Sequence, residues 1–203
     1  MIGVFGGTFD PVHNGHLRVA LDALEQLGLV EVRLVPLAHA VHRDQPETPP
    51  ALRLAMLEAA VAGRPGLVVD RREFDRTGPS YSVDTLADMH RDFPGGPLCL
   101  LLGGDAFNGF HRWHEPETIL AMANLAILTR PDAGVAAAVR PLYEAHRVPC
   151  LDPTRPGQIV RCPVTQLGIS SSDIRHRRAA QRSIDFLVPD PVLQLIRQYD
   201  LYR

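Results

Sequence analysis

The 203-residue sequence predicts an α/β protein, a Rossmann-like doubly wound parallel sheet with helices on both faces. Three observations carry that expectation. Short apolar runs alternate with segments of helical periodicity along the whole chain. The run LCLLL at 98–102 is apolar without alternation, as a central parallel strand buried on both faces requires. Glycine pairs, Gly6-Gly7 and Gly103-Gly104, follow two of the predicted strands, and such sheets bind ligands beyond the carboxyl ends of their strands.

The elements follow in order. Ile2, Val4 and Phe5 make 1–5 a short buried strand, which Gly6 and Gly7 break and Asp10-Pro11 turns. From about Asn14, the residues Leu17, Val19, Ala20, Leu21, Leu24 and Leu27 recur at helical spacing. VEVRLVP at 30–36 reads as a second strand, and the polar, proline-rich 39–50 as an exposed loop able to move. A helix is expected at 51–62, a strand at 67–70 and a helix at 82–92 with Ser82 as its N-cap. After the 98–102 strand come a strand at 124–129, a helix at 135–146, a short strand at 158–162, and helices at 171–182 and 191–199. No internal repeat or low-complexity segment interrupts this order.

Composition narrows the function classes. The chain is 45% hydrophobic with a formal net charge of -2, a soluble globular balance that argues against a large nucleic-acid footprint. No run reaches the ~20 apolar residues needed to cross a bilayer, and the start lacks the basic and apolar regions of a secretion signal. The three cysteines, Cys99, Cys150 and Cys162, form no C-x-x-C pair, which favours a reduced, cytoplasmic setting. All 21 basic residues are arginine, so Schiff-base, Walker-type and lysyl-nucleotide chemistry are excluded. The oligomeric state is not legible, and a homo-oligomer is compatible with the sequence.

GGTFDPVHNGH at 6–16 places His13 and His16 at a helix N-terminus after a strand and a glycine turn. Three residues apart, they share one face and join unpaired backbone N–H groups at the positive end of the helix dipole. That is a place to hold an anion, phosphate above all. In GISSSDIR at 168–175, Ser170 to Ser172 cap a helix with hydroxyls and free amides, and Arg175 lies one turn in. An arginine there forks two phosphate oxygens or, equally on these residues alone, stands on a solvated face. His111 and His114 have a metal-compatible spacing but no accompanying ligand set. Arg175, Arg177, Arg178 and Arg182 read as a solvated basic face.

Together these segments resemble the nucleotidyltransferase superfamily, with its (H/T)-x-G-H and I-S-S-x-x-(I/V)-R motifs. SYSVDTL at 80–86, GGDAFNGFHRWHEPETIL at 103–120 and the closing FLVPDPVLQLIRQYDLYR narrow the resemblance to the bacterial nicotinate mononucleotide adenylyltransferases. It covers essentially the whole chain. It implies one nucleotidyltransferase domain over 1–203, with 165–203 as its C-terminal helical part. The implied reaction joins ATP, with Mg²⁺ carried on it, to nicotinate mononucleotide. His13, His16 and Arg175 are then the catalytic residues, with His16 nearest the α-phosphate. Gly6, Gly7, Thr8 and Phe9 line the cleft floor, Asp105 meets the ATP ribose, and Ser171 and Arg175 hold the outer phosphates. Trp113 lies against the pyridine ring, backbone amides near Ser82 and His114 meet its carboxylate, and Thr85, His42 and Arg43 complete that side.

The sequence departs from the family at 36–43, PLAHAVHR, where P-N-x-x-P-P-H-(K/R) is usual. His42 and Arg43 match its end, while the asparagine and two prolines are missing. The alternatives are a phosphopantetheine adenylyltransferase, whose members are shorter, carry T-x-G-H and lack S-Y-S-x-x-T-L, and a catalytically silent nucleotide sensor.

Overall fold

The computed structural model describes residues 1–38, 46–129 and 134–203. Six strands, β1 (Ile2–Gly7), β2 (Glu31–Pro36), β3 (Leu67–Val69), β4 (Leu98–Gly103), β5 (Ala123–Thr129) and β6 (Ile159–Pro163), form one sheet in the order β3-β2-β1-β4-β5-β6. Every pairing is parallel. The order reverses direction between β1 and β4, the point where such sheets open a ligand crevice.

The register shows why it opens. β1 pairs with β2 from Ile2↔Glu31 to Gly7↔Pro36, but with β4 only from Ile2↔Leu98 to Val4↔Leu100. Beyond Val4 the two strands part, leaving Gly6-Gly7 and Gly103-Gly104 on opposite banks of one gap.

Nine α-helices lie around the sheet among the described residues: α1 (Asn14–Gln26), α2 (Pro50–Val61), α3 (Arg72–Asp75), α4 (Ser82–Asp92), α5 (Gly104–Asn108), α6 (Pro116–Met122), α7 (Arg140–His146), α8 (Ser171–Ala179) and α9 (Asp190–Gln198). Strand side chains alternate between two cores. Cys99 and Leu101 of β4 and Ala126 and Leu128 of β5 join α1, α2, α8 and α9 on one face through Ala20, Met56, Leu57, Ile174 and Ile196. Leu98, Leu100, Leu102, Leu125 and Ile127 join α4 and α6 on the other through Leu86, Met89, Ile119 and Leu120.

Several expectations need correction. The helix expected at 135–146 begins at Arg140, with Pro141 in its first turn. Begun at 135, it would have held that proline in its interior, without a donor and against the carbonyl four residues back. Ser82 is the first residue of α4 and Tyr81 its N-cap, with no side-chain cap bond. The helix expected to reach 182 stops at Ala179, and Gln181 takes a left-handed φ of 54°. Part of the loop expected to be exposed is buried: Thr48 is 3% accessible, its carbonyl accepting from Arg53 Nε at 3.2 Å. Residues 39–45, with His42 and Arg43, lie outside the described residues.

Candidate active site

His13 is the N-cap of α1, with the extended backbone a cap needs. The His16 amide donates to His13 Nδ1 at 3.3 Å, and the His13 amide donates to His16 Nδ1 at 3.3 Å. This is a capping box, the reciprocal closure of N-cap and third helical residue, built from two imidazoles. The rings stack at 3.6 Å between centroids and 24° between planes.

Both Nδ1 atoms are acceptors here, so each neutral ring carries its proton on Nε2. Burial lowers His13 to about 4. Burial, with the neighbouring His13 second, lowers His16 to about 3. At neutral pH the motif therefore presents two N–H donors and no charge. An anion at this turn would therefore meet N–H donors, helix amides and the dipole rather than imidazolium.

Gly15 permits this arrangement. A Cβ at that position would lie 2.9 Å from His13 Nδ1 and 3.0 Å from its Cε1. Gly7 has the same kind of reason, since its Cβ would meet the Phe9 ring at 2.8 Å. Phe9 is buried at a left-handed φ of 49°, and its ring stands edge-on to His16 at 5.1 Å. Gly6 faces open space, and Thr8 offers its carbonyl to Arg53 Nη1 at 2.8 Å.

The GISSSDIR segment is fastened to this turn. Ser170 caps α8 by accepting from the Asp173 amide at 3.1 Å, as its sequence predicts. Ser171 Oγ donates to the Pro11 carbonyl at 2.9 Å, and Arg175 Nη1 donates to the Asp10 carbonyl at 2.9 Å. Arg175 Nε also reaches Glu47 Oε1 at 3.2 Å. Two other arginines of the basic stretch form ion pairs, Arg177 with Asp173 and Arg178 with Asp200. Asp10 lies beneath, buried, accepting from the Tyr202 hydroxyl at 2.7 Å and the Glu47 amide at 3.1 Å. Asn14 binds the Phe186 carbonyl through Nδ2 at 2.7 Å, which fixes the tail to the start of α1.

Beside the histidines, a cleft of about 190 Å³ is lined by Phe5, His16, Gly103, Leu128, Leu167 and Ile169. Asp105 is exposed in the first turn of α5, two residues beyond Gly103. Asp22, in α1, accepts from the Thr165 amide at 2.5 Å and holds the segment that forms the outer wall.

Trp113 is half-buried with its ring 5.5 Å from Phe110, and exposed His114 lies 4.3 Å from the Tyr81 ring at the head of α4. Thr85 is buried and donates to Glu73 Oε1 at 2.9 Å. Among the described residues, no three His, Cys, Asp or Glu side chains gather so as to hold a metal ion.

Sequence reasoning missed Arg53 and Glu73, and also Asp10 and Asp22, which are bound by Tyr202 and Thr165 far along the chain. It also missed the constraint on Gly15. The signal for the capping box was present in the three-residue spacing of His13 and His16.

The sheet order and the opening at the switch point define a Rossmann-like doubly wound architecture. A family profile described as cytidylyltransferase-like matches residues 4–177. A Methylococcus capsulatus protein is 42% identical over 100% of this chain and 99% of its own length, and a Pseudomonas aeruginosa protein is 44% identical over 100% and 97%. Both bear the name probable nicotinate-nucleotide adenylyltransferase. The solved Plasmodium falciparum nicotinic acid mononucleotide adenylyltransferase complexed with NaAD matches with a TM-score of 0.74 at 18% identity, over 99% of this chain and 96% of that one. At that identity, the structural match speaks for the fold. The chain belongs to the cytidylyltransferase-like family and, within it, to the nicotinate-nucleotide adenylyltransferases.

Proposed function

We propose that the chain transfers the adenylyl group of ATP to nicotinate mononucleotide, giving nicotinate adenine dinucleotide and pyrophosphate, a step of NAD biosynthesis. The observation that carries this reading is the imidazole capping box at the switch point, with Arg175 fastened to the same turn. The mononucleotide phosphate is already an anionic nucleophile, so the reaction needs positioning and charge stabilisation rather than a strong base. The Nε2–H groups of His13 and His16 donate to oxygens of the α-phosphate as charge builds there. Ser171 and Arg175 hold the outer phosphates, and Arg175 meets the departing pyrophosphate with a charge it cannot lose.

The backbone of Gly6 to Phe9 forms the floor, and Asp105 receives the ATP ribose. Trp113 lies against the pyridine ring, amides near Ser82 and His114 meet its carboxylate, and Thr85 stands behind them. His42 and Arg43 are assigned to the mononucleotide by motif alone. Mg²⁺ enters on the phosphates of ATP as part of the substrate, completing its shell with water. The three thiols are free, in keeping with a cytoplasmic enzyme.

Incubation with ATP, Mg²⁺ and nicotinate mononucleotide, nicotinamide mononucleotide or phosphopantetheine, followed by pyrophosphate assay, tests the reading. Amide donors left facing an NH₂ group cost ~1–3 kcal/mol. The nicotinate form should therefore show at least ~10-fold higher kcat/KM than the nicotinamide form. Equal use of the two, or turnover of phosphopantetheine alone, would refute the assignment.

A further inference from the structure

Gly15, Val19 and Asp22 stand at i, i+4 and i+7 on α1, one stripe of the helix that starts beside His16. That stripe faces residues 164–169, the stretch between the end of β6 and the Ser170 cap of α8. The stretch meets the helix at two places. A Cβ at Gly15 would stand 3.7 Å from Ile169 Cβ, and Asp22 Oδ2 accepts from the Thr165 amide at 2.5 Å. Between those places lies the cleft of about 190 Å³, with Val19 on the helix side and Gln166 and Leu167 on the other.

Asp22 Oδ1 is taken up by Arg18, one turn earlier on α1, whose Nε donates at 2.8 Å. The buried carboxylate is thus held through one oxygen and holds the wall with the other. Burial alone would raise its pKa, but the hydrogen bonds from Thr165 and Arg18 outweigh burial and keep the group below its ordinary range. A side chain without that acceptor would leave the Thr165 amide unpaired and release one of the two places where wall and helix meet.

The position of the cleft indicates what it holds. In the proposed reaction His16 faces the α-phosphate and Arg175 takes the outer phosphates, so the nucleoside of ATP extends from His16 on another side. The cleft adjoins His16 and Gly103, the latter two residues before Asp105. Val19, Leu128, Val164 and Leu167 give it apolar walls, as a flat heteroaromatic ring requires.

We infer that Asp22 is a positioning residue for ATP: by fixing Thr165 to α1 it sets the width of the slot in which the adenine ring lies beside His16. The inference rests on ATP being the donor substrate.

The test uses the full chain with Asp22→Ala and Asp22→Asn, each with a thermal melt, steady-state kinetics against both substrates, and inhibition by inorganic tripolyphosphate. Tripolyphosphate carries no base, so it reports on the histidine turn and Arg175 but not on the slot. Asp22→Ala should raise KM for ATP ~10-fold or more, with KM for nicotinate mononucleotide and the tripolyphosphate inhibition constant each changed by less than about twofold. Asparagine keeps one acceptor oxygen for the Thr165 amide. Asp22→Asn should therefore fall between wild type and alanine, so the series is readable even where the alanine variant does not fold. An unchanged KM for ATP in the folded variants, or a rise matched by the tripolyphosphate constant, would overturn the role of Asp22. An unsubstituted chain that releases no pyrophosphate from ATP would instead overturn the reaction on which the inference rests.

Discussion

Substitution of Gly15 by alanine separates stability from catalysis in one site. Position 15 is a buried residue in the first turn of α1 with an ordinary helical backbone, where alanine is favoured over glycine by up to ~1 kcal/mol. Against that gain, the new Cβ would meet His13 Nδ1 at 2.9 Å and Cε1 at 3.0 Å. Comfortable contact needs ~3.5–4.0 Å, so the ring must move by roughly 0.5–1 Å. It cannot do so freely, because His13 accepts the His16 amide and stacks on the His16 ring at 3.6 Å.

Losing the cap costs ~1 kcal/mol, which offsets the propensity gain. Net stability should therefore change by less than ~1 kcal/mol. A misplacement of ~1 Å in a positioning group costs ~10²-fold, so kcat should fall ~10- to 100-fold. Pyrophosphate release and a urea titration measure the two quantities on one preparation. A folded Gly15→Ala protein with wild-type kcat would show that the histidine geometry is not what the reaction uses.

Removing the His16 donor by His16→Ala should lower kcat ~10²-fold or more, with a smaller change in ATP affinity; near-normal turnover in a folded variant would contradict the assignment. Arg175→Lys retains charge but loses the fork that now spans the Asp10 carbonyl and Glu47, so ATP use should still be impaired. Equal kinetics of the lysine and arginine enzymes would place this side chain outside the site. The folded values of about 4 for His13 and about 3 for His16 lie below the ordinary 6.5, so between those limits the unfolded chain binds more protons. The stability these rings contribute is complete above pH ~6.5 and is lost as pH falls toward ~3, by ~1.4 kcal/mol per unit per group. Urea titrations at pH 7 and pH 5 should show the loss, and a His13→Asn, His16→Asn double variant should lack most of it.

The strands were legible because burial on both faces leaves an apolar run, as at 98–102, or an apolar-rich stretch such as VEVRLVP. Helices α3, α5 and α6 were not, since four, five and seven residues are too few to display a period. The start of α7 was misread because Val135 to Val139 share the helix's composition, and only the backbone demand of Pro141 sets the boundary. The glycine–histidine turn at 6–16 was legible as a motif, whereas the charges beneath it were not. Arg53 is fully buried, yet its partners are the Thr8 and Thr48 carbonyls, groups with no sequence signature. Asp10 and Tyr202 are 192 residues apart in sequence and joined by one hydrogen bond.

The capping box also changes what the two histidines contribute. Cationic side chains at a helix N-terminus would bind the ground-state triphosphate strongly, and only the further attraction gained as charge builds would raise kcat. In the proposed reaction, neutral Nε2–H donors would hold that ground state less tightly and would still gain as negative charge builds on the oxygen they face. A bound phosphate also raises the pKa of an imidazole beside it, so the pair can take up positive character as charge accumulates. Under the proposed reaction, fixed charge would be left to Arg175, which is tied by its own hydrogen bond to the turn carrying His13. In a chain without lysine, the charge stabilisation proposed for this turn thus falls to one permanent cation and two polarisable donors.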